Sequence, residues 1–143
     1  MSEHSPLSSL VLVSQHIAAQ IASANVNGIA GIDTSGWDGC QFEFNIGAMA
    51  SSATFDARIV SSPNANMSGE VNVTNAALTQ VPNTANTGLF IIDLFRPTQR
   101  YLLAATQPAT ANVTYSCTAT LYRRTGVLPP TQVAIQQVTV VQN

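Results

Sequence analysis

The densest group of reactive side chains lies in residues 33–39, which read Asp-Thr-Ser-Gly-Trp-Asp-Gly. The two carboxylates, Asp33 and Asp38, are oxygen ligands of the kind that calcium prefers. Their spacing does not match an EF-hand loop, and no glutamate follows at the position of the bidentate ligand. Aspartate, serine and glycine close together are typical of a tight turn. We therefore interpret these residues as a turn between two strands with Trp37 packed at its edge, and calcium binding as the alternative.

The sequence contains no recognisable catalytic motif. The run that begins at Asp33 resembles the Asp-Thr-Gly turn of aspartic proteases, but it has one residue too many and no second copy. Ser35 does not lie in a Gly-x-Ser-x-Gly motif, and both histidines, His4 and His16, lie in the N-terminal segment away from it. Zinc motifs, phosphate-binding loops and dinucleotide-binding motifs are not present in the sequence. We therefore expect a protein that is not an enzyme and that uses neither a cofactor nor a metal ion.

The basic residues are five arginines and no lysine. A guanidinium is a planar fork of donors that suits carboxylates and carbonyl oxygens at protein interfaces. Four of the five lie at predicted strand ends, and these are the interface candidates Arg96, Arg100, Arg123 and Arg124. The alternative is that they are solvated charges at the ends of strands.

Asp93 is an acidic residue in apolar surroundings, because Ile91 and Phe95 flank it on its own strand face. A carboxylate in that position is expected either at an interface or in an ion pair. The candidate partners for the pair are Arg58, Arg96 and Arg100. A buried pair would need good geometry to be tolerated, since both charges lose their hydration.

Charged residues make up 8% of the 143 residues, against a typical fraction of about 25%, and the net charge is -2. Such a surface has no electrostatic attraction for nucleic acid or for an anionic membrane. The neutral polar remainder favours contacts with other proteins. The two cysteines, Cys40 and Cys117, lie on apolar strand faces and are interpreted as buried thiols, with a disulfide as the alternative if their strands are neighbours.

Alternation of apolar and polar residues predicts well-defined strands over residues 39–47, 54–60 and 112–122. Residues 88–123 have the pattern of three strands joined by short turns that contain proline, which is typical of a β-meander. A meander cannot bury its apolar face alone and needs a second sheet to cover it. The predicted fold is therefore all-β, an antiparallel β-sandwich similar to a jelly roll.

Less regular segments surround these strands. Residues 1–9 are expected to form a flexible arm, residues 10–128 the sandwich domain, and residues 129–143 a β-prone C-terminal tail. Within the domain, residues 10–21 fit an extended strand better than a helix, although their apolar residues also match a helical stripe. Residues 61–88 are predicted to form a long excursion with one short strand and a helical turn, and a loop of this length is usually functional.

The C-terminal tail supplies a second set of interface candidates. An exposed apolar edge strand is usually covered by a partner, because its unpaired backbone groups and apolar side chains otherwise invite aggregation. The candidates in the tail are Val133, Ile135, Val138 and Val140. Exchange of the tail with a neighbouring copy of the chain is our preferred explanation, and docking of the tail onto its own domain is the alternative.

Several of these runs together resemble the small virion proteins of tailed double-stranded DNA phages. The resemblance covers residues 10–128. Two parts of the chain carry the resemblance. In the first, residues 33–38 lead into the strand at 41–47. In the second, Gln-Arg-Tyr-Leu at 99–102 precedes a long strand that is rich in threonine and alanine and ends in Tyr-Arg-Arg. These are turn and packing patterns rather than a catalytic signature.

The resemblance implies a capsid decoration, or cement, protein that sits as a homotrimer on the head shell and stabilises contacts between capsomers. Its partners would be the major capsid protein and further copies of itself, with no nucleic acid and no membrane. It would be made in the host cytoplasm, in keeping with a start that lacks a secretory signal pattern, and located on the capsid surface of the virion. The alternative function is a phage tail or surface binding module that recognises host glycan, with Trp37, Asp33 and Asp38 as its platform.

Overall fold

The computed structural model describes residues 10–85, 88–123 and 135–142. Within these ranges the regular structure is β, apart from a 3-10 turn at Asn83–Ala85. In chain order the strands are β1 (Val11–Ala22), β2 (Val26–Asn27), β3 (Ile32–Asp33), β4 (Gly39–Met49), β5 (Thr54–Ser62), β6 (Val71–Ala77), β7 (Val81–Pro82), β8 (Gly88–Phe95), β9 (Tyr101–Ala109), β10 (Val113–Tyr122) and β11 (Ile135–Gln142).

The strands form two packed sheets with the pairing of a jelly roll. The front sheet has the order β1-β10-β4-β8-β11, and the back sheet has the order β2-β9-β5-β6, with β3 also on β9 and β7 on β5. Early strands pair with late ones in nested fashion: β1 with β10, β2 and β3 with β9, β4 with β8, and β5 with β6. Among the described pairs, β11 with β8 is the parallel one. The predicted all-β sandwich is confirmed, and the nesting is that of a jelly roll.

The predicted meander over residues 88–123 is wrong. β8 and β10 belong to the front sheet and β9 to the back sheet, so consecutive strands alternate between sheets. The turns are short enough for hairpins, but both edges of each strand are occupied by strands from elsewhere in the chain. β8, for example, lies between β4 and β11, and β10 lies between β1 and β4. Turn residues predict that the chain reverses its direction. They do not predict which of the two sheets the next strand joins.

The side chains between the sheets are those that the alternation selects. Phe42, Phe44 and Ile46 on β4 are at most 1% exposed, and Phe55 on β5 is fully buried. The Phe55 ring lies edge-on to Phe44 at 6.2 Å and to Tyr115 at 4.8 Å between ring centres. Edge-to-face pairs of this kind add to the stabilisation from buried area. The aromatic centre of the core is therefore built across both sheets.

Cys40 and Cys117 are buried free thiols, as predicted from their strand faces. Their strands are neighbours, but Cys117 lies opposite Phe44 whereas Cys40 lies opposite Leu121, which is four residues further along β10. A disulfide requires Cα atoms within about 7 Å of each other. The register therefore excludes the disulfide alternative. Burial also raises the pKa of both thiols far above the usual range.

β1 is a strand, as predicted for residues 10–21, but an irregular one. Register shifts against β10 between Gln15 and Ile17, and between Ile17 and Gln20, mark β-bulges. Because of them, the consecutive side chains of His16 and Ile17 both point inward and are 3% and 2% exposed. Two adjacent inward residues break the period of two. This break explains why the sequence pattern of the segment also matches a helical stripe.

The excursion over residues 61–88 contains the predicted short strand, β6, and its helical turn is the 3-10 turn near the end. Its first part folds over the outer face of the back sheet, where the Ser62 hydroxyl donates to the carbonyl oxygen of Ser68 (2.7 Å). A second, smaller apolar cluster forms beneath it from Val60, Met67 and Leu103. The predicted arm, residues 1–9, lies outside the described residues.

Candidate interaction surfaces

Three connections meet at one end of the sandwich, and we call this the arginine end. It comprises residues 34–38 between β3 and β4, residues 96–100 between β8 and β9, and Arg123 directly after β10. Three of the four arginine candidates belong to this end. The fourth, Arg124, lies outside the described residues.

Hydrogen bonds to the backbone join the connections of the arginine end. Thr34 donates both its N–H (2.9 Å) and its hydroxyl (2.7 Å) to the carbonyl oxygen of Arg100. The N–H of Arg96 donates to the carbonyl oxygen of Asp38 (2.8 Å). The turn predicted for residues 33–39 is therefore present, and it links the loop between β8 and β9 to both sheets.

Arg100 and Asp33 form a bidentate ion pair. Nε of Arg100 donates to Oδ1 of Asp33 (2.9 Å) and Nη2 to Oδ2 (2.8 Å), and the two side chains are 55% and 44% exposed. The Arg100 guanidinium, helped by a hydrogen bond from the Ser35 N–H, lowers the pKa of Asp33 to about 2. An exposed pair contributes little to stability. Two parallel donors do fix geometry, however, so the pair sets the direction of Arg100.

Each arginine of this end lies over an aromatic ring. The pairs, with the distance from guanidinium carbon to ring centre, are Arg96 over Phe95 (5.1 Å), Arg100 over Tyr101 (5.3 Å) and Arg123 over Trp37 (5.1 Å). Nε of Arg123 also donates to the carbonyl oxygen of Gly36 (3.3 Å). A ring face attracts a guanidinium without consuming its N–H donors. The exposed side chains of Arg96 and Arg123 are thus oriented in advance for the acceptors of a partner.

Arg96 also has an unusual backbone conformation. Its φ is 53°, in the left-handed region, where a residue with a Cβ is strained by roughly 1–2 kcal/mol. Glycine adopts this region without strain, so the backbone alone does not call for an arginine here. Strained residues of this kind cluster at functional positions. The side chain of Arg96 is therefore the first candidate for a contact with a partner.

Asp93 is paired differently from the expectation. Its Oδ1 accepts a hydrogen bond from the Tyr122 hydroxyl (2.6 Å), and partial burial raises its pKa. The expected arginine partners are wrong, because none of Arg58, Arg96 and Arg100 bonds to it in the described structure. The bond from Tyr122 passes over Gly39 of β4, where a Cβ would overlap the tyrosine. Sequence reasoning missed it because the partner lies two strands away.

One long side of the sandwich is sealed by a strand, and we call it the closed flank. There β11 pairs with β8 of the same chain and also contacts β6 of the back sheet. Val141 of β11 is 6% exposed and belongs to the main core. Val133 lies outside the described residues. The other tail candidates take register positions on β8, with Ile135 opposite Leu89, Val138 opposite Ile91 and Val140 opposite Asp93.

The other long side is left partly open, and we call it the open flank. There β1 faces the interrupted strands β2 and β3 across a cleft of about 360 Å³. Its walls are mainly apolar and include Leu12, Ile29, Ile32 and Leu121. Leu12 is 53% and Ile29 is 75% exposed. β1 is also an outer strand of the front sheet, so this side offers apolar side chains beside a bulged edge.

His16 joins the two sheets at the base of the open flank. Its Nε2 accepts the N–H of Ala104 on β9 (2.9 Å), and its ring lies edge-on to Phe42 at 5.5 Å. Since Nε2 accepts, the proton of the neutral ring is on Nδ1. Burial lowers the pKa of His16 to about 4. Sequence reasoning missed this contact, and the available signal was Gly28, where a Cβ would overlap the imidazole.

The residues considered for glycan or calcium binding are in contact with arginines. Trp37 packs partly against the core and lies under Arg123, while Asp33 bonds Arg100. Within the described ranges, no three histidine, cysteine, aspartate or glutamate side chains form a group that would hold a metal ion. A helix long and apolar enough to cross a membrane is likewise not found in the described part of the chain.

Comparison of the sequence with protein-family models and with curated proteins finds no match. Function must therefore be inferred from the fold and from the surfaces described above.

Proposed function

We propose that this chain is a structural virion protein, a capsid decoration or cement protein of a tailed phage. It binds the head shell as a homotrimer and stabilises contacts between capsomers. The observation that carries the proposal is the arginine end, where three guanidinium-ring pairs and a bidentate ion pair converge on one surface. The partner at this surface is the major capsid protein.

The chemistry of the arginine end favours recognition of a protein surface. Arginine and aromatic residues are enriched at the centres of protein interfaces. A guanidinium already held over a ring loses little conformational freedom on binding, so more of the interaction energy contributes to affinity. Carboxylates and backbone carbonyls of the shell are the acceptors that Arg96 and Arg123 would meet.

The arginine end is also where two further segments of the chain attach. The carbonyl oxygen of Leu10 accepts the N–H of Arg123 (3.0 Å). Residues 1–9 precede Leu10, and residues 124–134 follow Arg123. A jelly-roll body that carries three connected loop segments and both of these attachment points at one end suits a small protein that contacts a shell through that end.

Binding to empty phage shells assembled without this protein tests the proposal. Arg96→Gly removes a guanidinium and relieves the left-handed strain, so its free energy of unfolding should stay within about 1 kcal/mol of the unmodified protein. Arg123→Gln removes the guanidinium over Trp37. Each variant should bind shells about tenfold or more weakly in cosedimentation, the effect expected for an interface hot spot.

The matched control is Arg58→Gln. Arg58 lies in the middle of β5, is exposed, and donates from Nε to Asn72 (3.0 Å), so its loss changes the net charge without altering the arginine end. Its shell binding should equal that of the unmodified protein. Equal binding by all three variants would place the contact elsewhere and contradict the proposal. A glycan-array signal abolished by Trp37→Ala would favour the binding-module alternative instead.

A further inference from the structure

The attachment of β11 to the closed flank differs from that of every other described strand pair. Its ladder with β8 runs from Ile135 opposite Leu89 to Gln142 opposite Phe95, and it is parallel where the others are antiparallel. An antiparallel strand can follow its partner through a short hairpin, whereas a parallel strand requires a crossover connection. Here that connection is the eleven residues 124–134. No hairpin therefore ties β11 to the sheet it joins.

The connection is long enough for β11 to reach β8 in either of two chains. β10 ends at the arginine end, while β11 begins beside Leu89 at the opposite end, with β4 and β8 between them. With strands about 4.8 Å apart and a rise of about 3.3 Å per residue, the straight path from Arg123 to Ile135 is roughly 25 Å. A chain over that interval can extend to about 40 Å. The connection can thus reach β8 of its own chain or the same position on an adjacent copy.

The surface that β11 occupies needs to be covered in either case. Val141 fills a position in the main core, opposite Leu94. Ile91 lies on the outer face of the front sheet, between Glu43 and the β11 edge, and is only 2% exposed. A β8 without β11 would expose an unpaired, apolar edge.

We propose that β11 is exchanged, so that each β8 in the trimer pairs with the β11 of a neighbouring copy. A second copy can be the occupant because it carries the same β11, which pairs with β8 from Gln137 opposite Phe90 to Gln142 opposite Phe95, after one register shift that follows Ile135. Exchange of an identical strand keeps the same contacts and is a low-cost route to oligomers. Exchange also joins the copies through backbone hydrogen bonds. Such bonds need no ion pairs, which suits a chain with only 8% charged residues. The inference depends on the proposed function for the trimer.

Disulfide trapping distinguishes exchange from docking within one chain. Leu89 and Ile135 are register partners, so Leu89→Cys and Ile135→Cys would place two thiols side by side. When the single variants are co-expressed with different tags and oxidised, exchange gives a disulfide between unlike chains. Docking within one chain gives none. Cys40 and Cys117 do not compete, because they are fully buried and their raised pKa keeps them protonated.

The control pair is Val13→Cys with Thr120→Cys, register partners on β1 and β10. On separate chains this pair should not cross-link, and on one chain it should close internally. A single chain carrying both Leu89→Cys and Ile135→Cys should migrate as a covalent trimer on a non-reducing gel. Migration as one chain, or a solution mass of one chain by light scattering at all concentrations, would overturn exchange. Shell binding retained by such a monomer would leave the shell contact of the proposed function intact.

Discussion

The closed and open flanks of this sandwich complete the same fold by different means. On the closed flank a whole strand, β11, extends the front sheet and contacts β6, so backbone pairing and Val141 complete the core. On the open flank β1 is bulged and β2 and β3 are interrupted, and His16 connects the two sides through its imidazole and through its carbonyl oxygen, which accepts the N–H of Ile29 (3.0 Å). In this jelly roll the central strands are continuous, whereas the two flanks are completed by very different groups.

The stabilities of the closed flank and the open flank are expected to depend on different solution conditions. If β11 is exchanged between copies as proposed, the closed flank is expected to respond to protein concentration. A buried neutral imidazole accepts its hydrogen bond only while Nε2 is unprotonated, so the open flank is expected to respond to pH. The three predictions that follow test this contrast, beginning with the largest effect.

Phe42→Ala should have the largest effect, because it removes the support of the open flank. Phe42 is fully buried, and its ring contacts His16. The free energy of unfolding should fall by about 3–5 kcal/mol, since a cavity forms in a packed core. Urea titration at neutral pH measures the loss. Phe42→Leu, which keeps most of the volume, should lose about 1.5 kcal/mol or less; equal losses in both variants would mean that Phe42 stabilises the fold through its ring rather than by filling the volume.

Acid should weaken the open flank by roughly 3 kcal/mol. The pKa of His16 is about 4 in the folded protein and close to 6.5 in the unfolded chain, so the unfolded chain takes up the proton first as the pH falls. The contribution is complete above pH 6.5 and is lost progressively towards pH 4. Urea titrations at a series of pH values across this interval measure it.

The control for this pH dependence is His16→Gln, whose amide oxygen can accept the Ala104 N–H without titrating. At neutral pH the free energy of unfolding of His16→Gln should be lower than that of the unmodified protein. It should change less than that of the unmodified protein as the pH falls through the same interval. Asp33, with a pKa of about 2, loses its contribution at lower pH and does so in both proteins. Parallel pH curves for the two proteins would show that His16 is not the group responsible.

Val141→Ala tests the closed flank and should have the smallest effect of the three. Losing two buried methyl groups should lower the free energy of unfolding by about 2 kcal/mol. Thr139→Ala, on the same face of β11 but less buried, should lose less. The loss should be larger in dilute protein if a neighbouring copy supplies the strand. Thermal unfolding over a range of protein concentrations measures the loss of stability and its dependence on concentration. No loss from Val141→Ala would mean that β11 does not complete the core.

The strands were predictable because burial between two sheets imposes a period of two on the sequence. Residues 39–47 and 112–122 alternate clearly, and both lie in central strands. The strand order was not predictable in the same way, since nested pairing joins residues far apart, such as Val11 and Tyr122. The meander failed for this reason. β1 was ambiguous because its bulges place His16 and Ile17 on the same side.

The arginine end was predictable only in part. Residue type and position at a strand end selected Arg96, Arg100 and Arg123, and the structure brings these three together. Their contacts depend on topology: Asp33 meets Arg100 because β3 pairs with β9, a pairing that no local pattern encodes. His16 was passed over because one histidine in an irregular segment has no characteristic pattern.

The bulged first strand has a consequence for the order of events during synthesis. Val11 pairs with Tyr122, so β1 is made more than a hundred residues before its partner exists. At ordinary rates of translation this interval is roughly 5–20 s. During that time Leu12 and Val13 belong to a nascent chain with two unpaired edges. Once β10 arrives, one edge of β1 is paired, and the bulges on either side of Ile17 shorten the regular stretches of its outer edge with which another chain could pair.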